Sequence, residues 1–143
     1  MYPEGHEILV VVNDAVCRER IVRILRDEGF AVTEAAAGLA ALRAMSARRF
    51  TLVIAGTGLP GSLDGRTTVR QARIRQPWLK ALFIEDHHLR GGARLSVRNP
   101  DSDDLIFAPF ERHELIGCVF ELLQRSAATY DLARRARTAL AAF

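Results

Sequence analysis

The sequence predicts a doubly wound α/β domain, with five parallel strands in one sheet and helices on both faces. Two observations carry this prediction. Three apolar runs, Ile8-Leu-Val-Val-Val12, Leu52-Val-Ile-Ala55 and Ala81-Leu-Phe-Ile84, show no polar alternation, as expected of strands buried on both faces. Stretches of helical period separate them, so strand and helix alternate and the connections are right-handed crossovers.

The elements follow in order. After the first strand, Cys17, Ile21, Ile24 and Leu25 fall at i, i+4, i+7 and i+8. They mark a helix with Asp14 as N-cap and Gly29 as the stop. A weaker strand fits Ala31–Glu34. Leu39, Leu42 and Met45 mark a second helix after Gly38. A third follows Gly65, carries Val69 and Ala72, and ends near Pro77, since the residue before a proline is biased away from helix. Between His87 and Asp104, Gly91-Gly92 and Asn99-Pro100-Asp101 oppose a regular helix. A short or broken fourth helix is expected there. Leu105–Phe107 gives a fifth strand, and Leu115, Val119, Leu122 and Leu123 mark the last core helix. The predicted organisation is a leader over 1–7, a domain over 8–124 and a helical tail over 125–143.

Length and composition set the broad class. A chain of 143 residues suits one domain. With 49% hydrophobic and 26% charged residues it can build a core, which excludes a disordered chain. No apolar run reaches the roughly 18–20 residues of a membrane span. The start, Met1-Tyr-Pro-Glu-Gly-His-Glu7, lacks the basic and apolar regions of a signal peptide, so a cytoplasmic protein is expected. In that compartment Cys17 and Cys118, both on predicted inward helix faces, read as two buried free thiols. Net charge is +3, and every basic residue except Lys80 is arginine. Such an excess matches a GC-rich coding bias. Spread along the chain, it does not make the concentrated patch that nucleic-acid binding requires. The tail carries Leu132, Ala136, Leu140 and Phe143 at spacings that give one face. It reads as a partly frayed helix, with a dimer or partner contact as the alternative. Its face is mostly alanine, which argues against a membrane surface.

The sequence from Ile8 to Leu123 resembles a response-regulator receiver domain. The resemblance rests on Ile8-Leu-Val-Val11, Glu28-Gly-Phe30-Ala-Val32, Glu34-Ala-Ala-Ala-Gly38 with Ala41-Leu42, Leu59-Pro60, Asp64-Gly65, and Pro109-Phe110 followed by Glu114-Leu115. Each motif alone is weak; their order and spacing together are specific. The Gly91-Gly92 stretch resembles the shortened fourth-helix region of receivers attached to hybrid histidine kinases. The resemblance implies the flavodoxin-like receiver fold and a role in two-component phosphorelay signalling. It also implies a cis bond before Pro109, which proline tolerates.

An active receiver of this kind uses five groups. Two acidic residues after strand one and an acceptor Asp ending strand three bind Mg²⁺ and supply the nucleophile. A Ser or Thr after strand four and a Lys after strand five hold the phosphoryl oxygens. Here those positions read Val12 and Asn13, Gly56, Glu85 and Ala108. Leu105 stands where the family often keeps Tyr or Phe. The resemblance therefore implies a degenerate pseudo-receiver: not an enzyme, without Mg²⁺, and acting by protein–protein interaction. Its expected partner is a histidine kinase or a downstream effector, with a homodimer as a further option. Candidate contact surfaces are the first helix, with Arg18, Arg20 and Arg23, or the region from Gly91 to the last helix.

Glu85 has two readings. Its side chain either points to solvent or turns into the vacated pocket to bond Asn13 or the amides of 56–58. Asp14 reads as a helix cap and not as a metal ligand. His87 and His88 are adjacent and so point apart on a helix; His113 reads as a surface residue. An alternative function is a small-ligand sensor, for example for a cyclic dinucleotide, using Arg90, Arg94 and Arg98 around Gly91-Gly92.

Overall fold

Strands β1 (Glu7–Val11) and β3 (Leu52–Gly56) form the centre of the sheet. Ile8 to Val11 and Leu52 to Ala55 have no exposed surface. Covering both faces of such strands requires helices on both sides, and hence parallel crossovers. The computed structural model describes residues 6–86 and 103–124. Its sheet adds β2 (Ala31–Ala35), β4 (Lys80–Asp86) and β5 (Asp103–Ala108) in the order β2-β1-β3-β4-β5, all parallel. The helices are α1 (Ala15–Asp27), α2 (Gly38–Ala47), α3 (Gly65–Arg75) and α4 over 112–124. The flavodoxin-like doubly wound fold expected from the sequence is the fold observed.

Two cores lie on the two faces of the sheet. One joins Ile8, Val10, Leu52, Ile54, Leu82 and Ile84 to Ile21 and Leu25 of α1 and to Leu115, Val119 and Leu122 of α4. The other joins Leu9, Val11, Val53, Ala55, Ala81 and Phe83 to Ala41 and Met45 of α2 and Val69 and Ala72 of α3. Successive residues of each central strand alternate between the cores, as a pleated strand requires.

The two ends of α1 are capped as the sequence indicates. The Asp14 carboxylate accepts the Val16 amide at 3.4 Å, and Gly29 has φ 93°, the left-handed value that favours glycine. Asp64 caps α3 by accepting the Thr67 amide at 2.8 Å. The expected inward residues of α1 and α4 are buried, apart from Cys17 and Cys118, which form no disulfide among the described residues and are only half-buried at the edge of the α1–α4 core.

Two expectations change, and one buried contact is added. On α2 the buried residues are Gly38, Ala41 and Met45, while Leu39 is 54% exposed. A Cβ on Gly38 would lie 2.5 Å from Thr68 Oγ1, so the glycine lets α2 approach α3 and sets which side of α2 faces inward. Strand β5 begins at Asp103, earlier than the apolar run, because the buried Asp103 carboxylate pairs with Arg73 of α3. Buried Gln76 was not singled out either. Its amide donates to Met45 O at 2.7 Å and Arg48 O at 3.1 Å and accepts from Phe50 N at 3.1 Å, joining the ends of α2 and α3. The expected broken helix after His87, the pair His87–His88, the loop arginines and the tail lie outside the described residues.

The Asp64 cap gives a pH-dependent prediction. The Thr67 amide bond holds the Asp64 carboxyl below its ordinary value, with Arg70 and Arg66 adding to the effect. A lowered folded-state pKa stabilises above the unfolded value of about 3.9 and loses that contribution as pH falls through the folded value. Asp64→Ala should cost about 0.5–2 kcal/mol at neutral pH. Urea unfolding at a series of pH values should show the gap closing below about pH 4; a pH-independent gap would sink this account.

Candidate functional site

Because all strands run parallel, their carboxyl ends meet along one edge, where ligands bind in folds of this kind. Val12 and Asn13 follow β1, Gly56 ends β3, Glu85 lies near the end of β4, and Ala108 ends β5. The register sets Gly56 beside Ile84, and Glu85 beside Phe107. A cavity of ≈ 640 Å³ opens at this edge, lined among others by Val12, Asn13, Cys17, Gly56, Thr57 and Ala108. Four of the five positions singled out in the sequence therefore share one site.

The fifth does not line it. Strand alternation puts Ile84 in the α1–α4 core and Phe83 in the α2–α3 core. Glu85 follows Phe83 by two residues and takes the same face. It is 4% exposed, and its Oε2 has no hydrogen-bond partner among the described residues. Both sequence readings of Glu85 are thus corrected: it is neither solvated nor bonded to Asn13 or the 56–58 amides. Two of those groups are engaged elsewhere. Asn13 Nδ2 donates to Ala36 O at 3.3 Å, and the Thr57 amide donates to Ile84 O at 3.0 Å.

Arg66 shares this second face, and nothing in the sequence pointed to it. Its guanidinium lies 4.6 Å from the Phe83 ring centroid, while Nε and Nη2 are buried without hydrogen-bond partners among the described residues. The signal was missing because Phe83 is brought beneath Arg66 by a different strand.

The charged side chains that line the cavity are Asp14 and Arg20. Val12, Gly56 and Ala108 offer no side-chain oxygen or nitrogen, and Asp14 is engaged as the α1 cap. These positions do not fit the oxygen ligand set that Mg²⁺ takes. Among the described residues no three His, Cys, Asp or Glu side chains gather to hold a metal ion. The Cys17 thiol is pushed up from its ordinary value by burial, with Asp14 adding and Arg20 opposing. It stays a thiol at neutral pH and is a poor nucleophile.

The basic side chains around the site are also engaged. Arg18 donates to Val12 O at 2.8 Å and to Asn13 O at 3.1 Å, and pairs with Glu34 at 3.2 Å. Arg20 lies 4.9 Å from the Phe110 ring centroid and donates to Phe110 O at 2.9 Å. Of the three arginines offered as an α1 contact surface, these two hold the ends of β1 and β5 in place; Arg23 is exposed. The Ala108–Pro109 bond is cis, as expected. His113 is exposed, also as expected.

Two glycines at the edge play opposite parts. A Cβ on Gly65 would lie 2.2 Å from Gly56 O, so the start of α3 rests on the end of β3. A Cβ on Gly56 would find its nearest neighbours at 3.9 Å, an ordinary contact. Gly65→Ala should therefore cost roughly 1–3 kcal/mol or more. Gly56→Ala should be neutral or stabilising by up to about 1 kcal/mol, since glycine weakens a strand. Urea unfolding of both variants checks the contrast, and equal losses would refute it. Glu85→Met should raise the unfolding midpoint, because it removes a buried carboxylate oxygen whose missing partner costs about 1–3 kcal/mol. A lower midpoint would show that Glu85 has a partner.

Comparison with known proteins agrees with this geometry. The family model for the response regulator receiver domain matches residues 8–120. The chain is 27% identical over 128 residues to the probable transcriptional regulatory protein TcrX of Mycobacterium tuberculosis (strain ATCC 25618 / H37Rv), covering 85% of this chain and 51% of TcrX. NtrX from Brucella abortus superposes with a TM-score of 0.79 at 28% identity, over 90% of this chain and 29% of NtrX. The isolated receiver domain of that NtrX gives 0.69 at 28% identity, over 82% of this chain and 98% of the domain. A CheY-like receiver domain protein from Methanospirillum hungatei JF-1 gives 0.71 at 21% identity, over 87% of this chain and 98% of that one, a likeness of fold. The chain thus spans about half of its curated relative and nearly all of an isolated receiver. With the strand order, the site at the carboxyl edge and a family match over most of its length, this chain belongs to the response regulator receiver domain family of two-component systems.

Proposed function

We propose that this receiver domain signals without accepting a phosphoryl group, as a pseudo-receiver that works by binding a partner protein. The observation that carries the proposal is the edge itself. Val12, Asn13, Gly56 and Ala108 surround the cavity where an active receiver needs carboxylates and a lysine, and Glu85 faces away from it. Without a carboxylate at Gly56 there is no nucleophile for phosphoryl transfer. Without acidic neighbours and a lysine there is nothing to neutralise the transferred charge. The domain accordingly binds no Mg²⁺ and is not an enzyme.

The partner class follows from the family. Receiver domains of two-component systems interact with histidine kinases or effectors, and a regulatory relative such as TcrX supports a place in that chemistry. The proposed setting is cytoplasmic; among the described residues no helix is long and apolar enough to cross a membrane.

The proposal is tested with phosphoramidate or acetyl phosphate plus Mg²⁺, read as an acid-labile mass increase. The wild-type chain is expected to remain unlabelled. Gly56→Asp is expected to stay close to that baseline, because a single carboxylate restores neither the metal ligands nor the lysine. Stable labelling of the wild-type chain would overturn the proposal.

A further inference from the structure

The α2–α3 face combines exposed apolar side chains with charge of one sign. Ile74 is 76% exposed and Leu39 is 54% exposed. Between the helices runs a groove of ≈ 330 Å³, lined by Leu42, Arg43, Met45, Gln71, Ile74 and Arg75 among others. Leu39, Leu42, Arg43 and Ser46 recur at i, i+3, i+4 and i+7, so they share one side of α2. Gln71, Ile74 and Arg75 do the same on α3.

Neither helix carries an Asp or Glu; together they carry Arg43, Arg66, Arg70, Arg73 and Arg75. Two of these are engaged in the fold: Arg66 over Phe83, and Arg73 with Asp103. Arg43, Arg70 and Arg75 are exposed and make no ion pair among the described residues. Asp64, at the start of α3, is engaged with the Thr67 amide. The α1 face differs, since Glu19 and Asp27 there alternate with Arg20, Arg23 and Arg112 around its groove.

We infer that the α2–α3 groove docks an acidic amphipathic segment of a partner protein. Apolar side chains of that segment would enter beside Ile74 and Leu42, and its carboxylates would meet Arg43 and Arg75, where bidentate pairing is available. A second copy of this chain fits poorly, because a two-fold contact would set arginine against arginine. Nucleic acid fits poorly as well, since phosphate contacts would leave Ile74 and Leu39 uncovered. The inference rests on the reading that this receiver acts through its surfaces, and adds which surface and what chemistry meets it.

The test uses the full ¹⁵N-labelled chain and a designed helical peptide of about 20 residues, with leucines at i, i+3 and i+7 flanked by glutamates. A scrambled peptide of the same composition and a DNA duplex serve as the other probes. Amide shift changes should gather on α2 and α3. Arg43→Glu with Arg75→Glu, and separately Ile74→Ser, should each weaken binding roughly ten-fold or more. These side chains are exposed, and an unchanged circular dichroism melt would show that the variants keep their fold. Shift changes elsewhere, or equal binding of the scrambled peptide or the duplex, would overturn the inference. So would concentration-dependent shifts on this face without peptide. Phosphoryl labelling of the wild-type chain would instead overturn the pseudo-receiver reading and leave the groove result standing.

Discussion

The structure depends on burying β1 and β3 on both faces. Eight consecutive-strand residues, Ile8 to Val11 and Leu52 to Ala55, are wholly inaccessible. Strands like these cannot be covered by a hairpin partner on one side, so helices must cross above and below. With every crossover in the same sense, the carboxyl ends of the strands arrive together at one edge. The cavity between Val12, Gly56 and Ala108 is a consequence of that packing.

The edge keeps its shape with Val12, Gly56 and Ala108 in it. Backbone groups and remote side chains hold the contour. Gly65 rests on the Gly56 carbonyl, and Asp64 fixes the first turn of α3. Arg18 reaches from α1 to the carbonyls of Val12 and Asn13, and Arg20 reaches to the carbonyl of Phe110. None of these contacts involves a side chain at positions 12, 56 or 108. Val12 is itself buried in the α1–α4 core and Ala108 packs against it, so the apolar side chains at this edge take part in the packing.

Charge is distributed differently over the two helical layers. On the α1–α4 side, Arg18 pairs with Glu34, Arg112 with Asp27 and Glu28, and Arg20 lies over Phe110, while exposed Arg23 sits among Glu19 and Asp27. Exposed pairs of this kind contribute little stability and leave a mixed-sign surface. On the α2–α3 side no carboxylate is available on either helix, so Arg43, Arg70 and Arg75 remain a one-sign rim around apolar side chains. Two layers that are equivalent for folding are therefore unlike as recognition surfaces.

The sequence by itself determined the order of elements, because continuous apolar runs and helical spacing are local patterns that report burial directly. It also determined the cap at Asp14, the stop at Gly29, and the absence of a carboxylate at Gly56. Only the tertiary structure decided which face each residue near the edge takes. Glu85 turned from the cavity because its parity along β4 matches Phe83, and that parity acquires meaning only once the strand is placed in the sheet. Arg66 over Phe83, Gln76 between α2 and α3, and Arg73 with Asp103 join residues from different elements, so no local spacing announced them. The inward side of α2 is set by contacts between elements for the same reason. Leu39 satisfies the period, but the close approach at Gly38 rotates Ala41 and Met45 into the core and leaves Leu39 outside. Local pattern fixes what an element is, while contacts between elements fix which of its side chains meet.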